Sequence, residues 1–302
     1  MDFPFPSEKA DEKIRSFIFS LLVPRHPESH KGHYGTLTAV CGSVFYRGAA
    51  SLSTAAALRC GAGIVRLASL PAVIDACAAV NPECIFLPLP EEEAGSISSK
   101  AADDILSLLT HAKGRQTCLI GCGLSLCPDT EELTFRLIRS LSCPLVLDAD
   151  ALNALSKHPD LLAQASQTPV ITPHIGEMAR LTGLSVNAIT SDLDGTARSF
   201  SARYGCVTVL KGHATRVASP DGKLYINTTG NPGLARGGSG DVLAGMIAAF
   251  LAQGLAPWEA AVCGVYLHGL AADRCAARLS QYGMLPHDIL IDLCEIFREN
   301  GR

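Results

Sequence analysis

A chain of 302 residues without a Pro/Gly/Ser-rich linker, 48% hydrophobic and only 18% charged, predicts one large α/β domain with an extensive buried core. A formal net charge of −4 with no basic cluster argues against a nucleic-acid surface, and no apolar run is long enough to span a bilayer. The 12 cysteines lie scattered among apolar residues without C-x-x-C pairing, so they read as small core residues of a cytoplasmic chain rather than a disulfide framework or a zinc site.

Residues 1–30 read as an N-terminal extension and residues 31–302 as a single domain. The start, over 1–15, is acidic and broken by prolines, unlike a secretory or transit peptide. Lys31-Gly-His-Tyr-Gly35 leads into an apolar strand over 36–41, and Gly42-Ser43 with Arg47-Gly-Ala-Ala50 opens a small-residue helix over 49–60. That helix start offers unpaired N–H groups at the sheet edge, with plain packing as the alternative. Further strands are expected over 64–67, 84–87, 118–120, 145–147, 170–172 and 207–210, most of them continuously apolar, with crossover helices such as 129–141 and 195–204. Such strands imply a parallel sheet buried on both faces, a doubly wound sandwich whose ligands bind beyond the carboxyl ends of the strands.

The strand-end segments are therefore the candidate site. Gly121-Cys-Gly123-Leu-Ser125 lacks the third glycine of a dinucleotide fingerprint and reads as a turn open to a ligand. In Leu147-Asp148-Ala-Asp150-Ala-Leu-Asn153 the two carboxylates either orient Mg²⁺ or cap the helix expected from Ala151; Asp150 suits the cap, and Asp148, nearer the strand, is the electrostatic candidate. Thr172-Pro-His174-Ile-Gly-Glu177 ends a strand at its proline and projects His174 and Glu177 into the crevice. Histidine there can bond a polar substrate and glutamate can hold Mg²⁺ through water, against the alternative of a structural histidine. Lys211-Gly-His-Ala-Thr215 offers a lysine, small residues and a hydroxyl to a nucleotide, or is a solvated turn. A hairpin of 216–218 and 224–227 around Ser219-Pro-Asp-Gly222 follows.

That hairpin feeds Asn227-Thr-Thr-Gly-Asn-Pro-Gly-Leu-Ala-Arg-Gly-Gly-Ser-Gly-Asp241, ahead of helices over 241–253, 257–279 and 286–298. Its glycines permit positive φ and close backbone approach, and the following helix presents free N–H groups and a positive dipole end, so phosphate is the natural occupant. A carboxylate beside phosphate repels it; Asp241 therefore makes sense as a group that accepts a proton or orients a hydroxyl in phosphoryl transfer, with helix capping as the alternative. The stretch 242–251 carries no charge, which predicts burial on nearly every side and a rigidly held N-terminus. There is no G-x-x-x-x-G-K-[ST] P-loop.

Taken in order, Lys31–Gly35, Gly48–Gly63, Gly121–Ser125, Leu147–Asn153, Thr172–Glu177, Lys211–Thr215 and Asn227–Asp241 make the chain resemble the ADP/ATP-dependent NAD(P)H-hydrate dehydratases of the ribokinase-like superfamily. The resemblance implies a three-layer α/β/α sandwich with a mostly parallel central sheet. It implies phosphorylation of the ring hydroxyl of the S epimer of NADH hydrate or NADPH hydrate by ADP or ATP, then loss of phosphate, with AMP released where ADP is the donor. Lys211, Gly212, His213, Ala214, Thr215 and Gly240 would contact the adenine nucleotide, helped by Asn231, Gly237, Gly238 and Ser239. Ala50, Gly123, His174 and Asp241 would contact the hydrated substrate. Asp241 would be catalytic, and Mg²⁺ would bridge the nucleotide phosphates with Glu177 as a water-mediated contact. A homo-oligomer, and an epimerase on a separate chain, are also expected. Arg236, before Gly-Gly-Ser-Gly, departs from the smaller or neutral residues that are also common there. The rival readings are a vitamin-precursor kinase of the same fold, whose product would keep its phosphate, and a silent nucleotide sensor.

Overall fold

The computed structural model describes residues 8–92 and 95–302, so the first seven residues of the expected extension lie outside the described residues. In chain order the strands are β1 (Thr36–Val40), β2 (Ile64–Ser69), β3 (Ile85–Pro88), β4 (Glu91–Glu92), β5 (Ser96–Ile97), β6 (Gln116–Ile120), β7 (Leu145–Leu147), β8 (Val170–Ile171), β9 (Val207–Leu210), β10 (Arg216–Ala218) and β11 (Leu224–Ile226). All but β4 and β5 share one sheet in the order β11-β10-β9-β8-β7-β6-β1-β2-β3. Pairing is parallel from β3 across to β9, while β10 and β11 return antiparallel as the expected hairpin. Strands β1, β7, β8 and β9 are buried at every residue, because helices cover both faces and leave no side for polar residues to alternate onto.

The helices are α1 (Glu8–Leu21), α2 (Arg47–Arg59), α3 (Pro71–Ala78), α4 (Ala101–Thr110), α5 (Pro128–Ser140), α6 (Asp150–Leu155), α7 (Ile175–Thr182), α8 (Val186–Ser191), α9 (Leu193–Tyr204), α10 (Ser239–Gln253), α11 (Pro257–Gly283) and α12 (Ile289–Glu299). After β1 the chain steps one way along the sheet to β3, and from β6 it steps the other way to β9. Right-handed crossovers then place α2 and α3, joined by α10 and α11, on one face, and the run from α4 to α9 on the other. This is the expected three-layer sandwich, and its strand order reverses between β1 and β6.

Local chemistry sets the ends of these elements. Asp192 caps α9 by accepting from Gly195 N at 2.8 Å, and left-handed Gly205 terminates it. Helix α10 begins at Ser239, two residues before the expected start, so Asp241 occupies its third position rather than its first. Helix α6 begins at Asp150, and the boundary residue is Ala149 (φ 49°), so Asp150 does not cap it as expected. Its carboxylate instead accepts from Ser125 N at 2.8 Å across the neighbouring strand-end loop. Helices α10 and α2 cross at backbone contact: a Cβ on Gly245 would stand 2.1 Å from the Ser53 carbonyl oxygen. Helix α1 brings Ile14 and Ile18 into the core.

Candidate active site

At the reversal between β1 and β6, Ser125 Oγ donates to Ser43 Oγ at 2.9 Å and Gly42 N donates to Cys122 O at 2.9 Å, which ties the two strand-end loops together. Gly123, at φ 65°, lies so close to the α2 entrance that a Cβ would be 2.7 Å from Tyr46 Cβ and 2.8 Å from Ala49 Cβ. Gly123 and Ala50, both buried, thus sit where this strand-end loop meets the start of α2. Open αβ sheets place their ligand clefts at such reversals, because adjacent loops diverge to opposite faces.

The start of α10 meets the same strand ends, with Asp241 close to Cys122 and Asp148. Gly238 takes the left-handed conformation (φ 97°) that turns the chain into the helix. The N–H groups of Gly237, Gly238, Gly240 and Asp241 have no acceptor among the described residues, as the first turn of a helix requires. A Cβ on Gly240 would be 3.2 Å from Lys211 Nζ, so glycine here lets the ammonium press against the helix N-terminus. Arg236 points away, Nη2 donating to Tyr282 O at 2.9 Å. Asn231 is engaged twice within the loop: its Nδ2 donates to Asp273 Oδ1 and its Oδ1 accepts from Gly233 N, each at 2.9 Å.

Lys211 is the hub of the charged groups. Its Nζ lies 2.9 Å from Asp148 Oδ1 and 3.9 Å from Glu177 Oε2. Burial alone would lower its pKa, but the two carboxylates outweigh that and hold it above the usual lysine value. Asp148, 2% exposed, also accepts from Thr172 Oγ1 at 2.6 Å. Glu177 is pushed up to about 7 by burial and the charge of Asp148, against the opposing pull of Lys211. His174 caps α7: its Nδ1 accepts from Gly176 N (2.9 Å) and Glu177 N (3.2 Å), while its own N–H donates to Glu177 Oε2 at 2.7 Å. With Nδ1 accepting, the ring proton sits on Nε2. Burial, with Lys211 and Arg180 nearby, lowers the His174 pKa and keeps the ring neutral. The structural and ligand readings of this histidine are thus compatible: one nitrogen caps the helix while its side chain remains half exposed.

Asp241 joins this group from α10. Atoms of Cys122, Asp148 and Asp241 that could ligate a metal all lie within 4.8 Å of one another. Burial first, then the negative charge of Asp148, raises Asp241 to about 6, with Cys122 and Lys211 acting in the opposite sense. Such a carboxylate is ionised at neutral pH yet basic enough to accept a proton. The remaining segment, Gly212 to Thr215, forms a turn closed by Thr215 Oγ1 donating to Gly212 O at 3.3 Å, next to Lys211 on the same strand end. Sequence reasoning missed Cys122. Among twelve free cysteines its thiol carries no local signal, and only the strand order sets it against two carboxylates. His268 was also passed over: it is buried on α11 against the Ser239 backbone, and its Nε2 and Ser239 Oγ both lack partners among the described residues.

The sequence model of the family described as NAD(P)H-hydrate dehydratase matches residues 37–294. The bifunctional NAD(P)H-hydrate repair enzyme Nnr of Moorella thermoacetica is 42% identical over 279 residues, which cover 92% of this chain and 52% of that protein. The ADP-dependent (S)-NAD(P)H-hydrate dehydratase of Neisseria meningitidis serogroup B is 39% identical over 252 residues, 82% of this chain and 80% of that protein. In structure, the chain superposes on the ADP/ATP-dependent NAD(P)H-hydrate dehydratase from Bacillus subtilis co-crystallized with ATP/Mg²⁺, with a TM-score of 0.82, 30% identity and 99% coverage of both chains. The chain spans about half the length of the bifunctional relatives it matches.

Proposed function

The chain belongs to the NAD(P)H-hydrate dehydratase family, and from that premise we propose that it restores hydrated NADH and NADPH by a nucleotide-driven dehydration of the S epimer. The observation that carries the reading is the row of acceptor-free N–H groups at the start of α10 with Asp241 in the same turn and Lys211 against it. Hydroxide is a poor leaving group and phosphate a good one. The adenine nucleotide, ADP or ATP, gives its terminal phosphoryl to the ring hydroxyl oxygen while Asp241 takes the hydroxyl proton. The N–H groups of Gly237, Gly238 and Gly240 receive the charge on the migrating phosphoryl oxygens. The ring nitrogen lone pair then expels phosphate, and loss of a proton from the adjacent carbon regenerates the dihydronicotinamide. ADP leaves as AMP.

Ala50, Gly123 and His174 make up the substrate side, with the half-exposed His174 ring, whose Nε2 also lies 3.4 Å from Glu177 Oε1, as its polar group. Gly212 to Thr215 line the nucleotide side with backbone groups and one hydroxyl. Mg²⁺ belongs to the same proposal, bound chiefly by nucleotide phosphates. Asp148 is already engaged by Lys211 and Thr172, so the donor set fits a hydrated ion touched through water by Glu177 rather than a direct carboxylate cage. When bound, the ion supplies positive charge against the phosphates. An epimerase that feeds the S epimer is the expected functional partner, and assembly of several copies belongs to the same proposal.

The test is to incubate hydrated NADH with Mg²⁺ and either ADP or ATP, following the absorbance of the reduced ring and the fate of the nucleotide. Return of absorbance with one AMP formed per ring restored from ADP is the expected outcome. A phosphorylated product that accumulates instead assigns the chain to kinase chemistry.

A further inference from the structure

The thiol of Cys122 lies where the proposed chemistry leaves two carboxylates facing each other. Its Sγ is 3.7 Å from Asp148 Oδ2, inside the cluster that includes Asp241. It is fully buried, and the Cys41 thiol of the adjacent strand end lies against it. Contact with Cys41, burial, and the charges of Asp148 and Asp241 all hold the Cys122 thiol well above its usual ionisation range, so it keeps its proton and remains a donor. The charged groups around Asp241 have partners of their own. Lys211, from the end of β9, is bonded to Asp148, and Asp150, from α6, is bonded to Ser125 N. Glu177 and His174, at the start of α7, are bonded to each other, and His268, from α11, meets the backbone of Ser239 with its Nε2 left without a partner among the described residues. The protonated thiol is a neutral donor inside the cluster it forms with the two carboxylates.

We propose that Cys122 is a positioning residue for Asp241: its S–H lies between Asp148 and Asp241 and is shared by them, which separates the two charges and holds Asp241 toward the acceptor hydroxyl. This rests on the assignment of Asp241 as proton acceptor in the dehydration. Serine can replace the thiol as a donor, and alanine leaves the carboxylates to repel across a gap.

The experiment uses the full chain as wild type, Cys122→Ala and Cys122→Ser, with melting checked for each. The pH profile of kcat/KM for the hydrate should have its acid limb moved upward by about half a unit in Cys122→Ala, the scale of one weak hydrogen bond. Cys122→Ser should return it to the wild-type position, and the KM for the nucleotide should stay unchanged in both. In parallel, the carboxyl ¹³C resonance of Asp241 in ¹³C-aspartate-labelled protein, assigned with Asp241→Asn, should titrate higher in Cys122→Ala by the same amount. An unshifted Asp241 resonance in Cys122→Ala overturns the proposal, as does a shift that Cys122→Ser fails to reverse. Should the wild type restore no hydrate, the functional reading falls, while the resonance titration still decides the role of Cys122.

Discussion

Asp241, the proposed proton acceptor, is costly to the fold. Its pKa is raised by burial and by Asp148, so the folded chain holds a proton there more tightly than the unfolded chain does. The stability penalty is therefore absent below the unfolded pKa and grows as pH rises from 3.8 through about 6. Asp241→Asn should abolish turnover with nucleotide affinity kept within a few-fold, and should raise stability at alkaline pH by roughly 1 kcal/mol. Parallel calorimetric titration with ADP and thermal melts check both halves. Glu177, raised to about 7, adds a second contribution of the same sign, lost as pH falls back through that value. Lys211→Met should act oppositely. Asp148 and Glu177 would be left buried without their cation, with a loss of about 3–5 kcal/mol in denaturant unfolding at pH 8. The same variant should regain part of that loss at pH 5, where Glu177 is protonated.

Among the elements, α10 joins packing to binding. Its middle is uncharged and buried, and its glycines have separate duties. Gly245 allows backbone contact with α2, so Gly245→Ala forces a Cβ to within 2.1 Å of the Ser53 carbonyl and requires the helices to part. The expected result is a loss of about 1–3 kcal/mol in melting, with nucleotide KM little changed at low temperature. Gly238→Ala would place a Cβ 2.7 Å from Leu52 Cδ1 in a left-handed conformation, at the mouth of the proposed phosphate loop. That variant should lower kcat/KM for the nucleotide severalfold, with kcat falling as well, because the N–H groups it disturbs are those proposed to stabilise the migrating phosphoryl. The opposite pattern, lost melting temperature from Gly238→Ala and lost affinity from Gly245→Ala, would reverse these assignments.

For the molecule as a whole, strand order assembles the candidate site: β1 lies between β2 and β6, so loops far apart in the chain meet at one end of the sheet. The α-helix that precedes the sheet is part of the same core, and Ile18→Ala in α1 should cost about 3 kcal/mol while leaving KM unchanged, a split readable by melting and kinetics together. The alternation of apolar strands and helices, the hairpin after Lys211 and the glycine loop before α10 were all legible in the residues, because apolar period, turn chemistry and glycine freedom act over a few neighbours. Asp150 shows where such local reasoning stops: its carboxylate suits a helix cap, yet Ser125 from another loop takes it. Likewise nothing near Lys211 reveals that its ammonium meets Asp148, 63 residues earlier, and nothing near Cys122 separates it from the other cysteines of the core. The sequence by itself determined the elements, their order and a loop suited to phosphate. Which charges pair, and which thiol stands between them, was decided by the tertiary structure, since electrostatic contacts depend on distance in space and the order of strands in the sheet sets that distance.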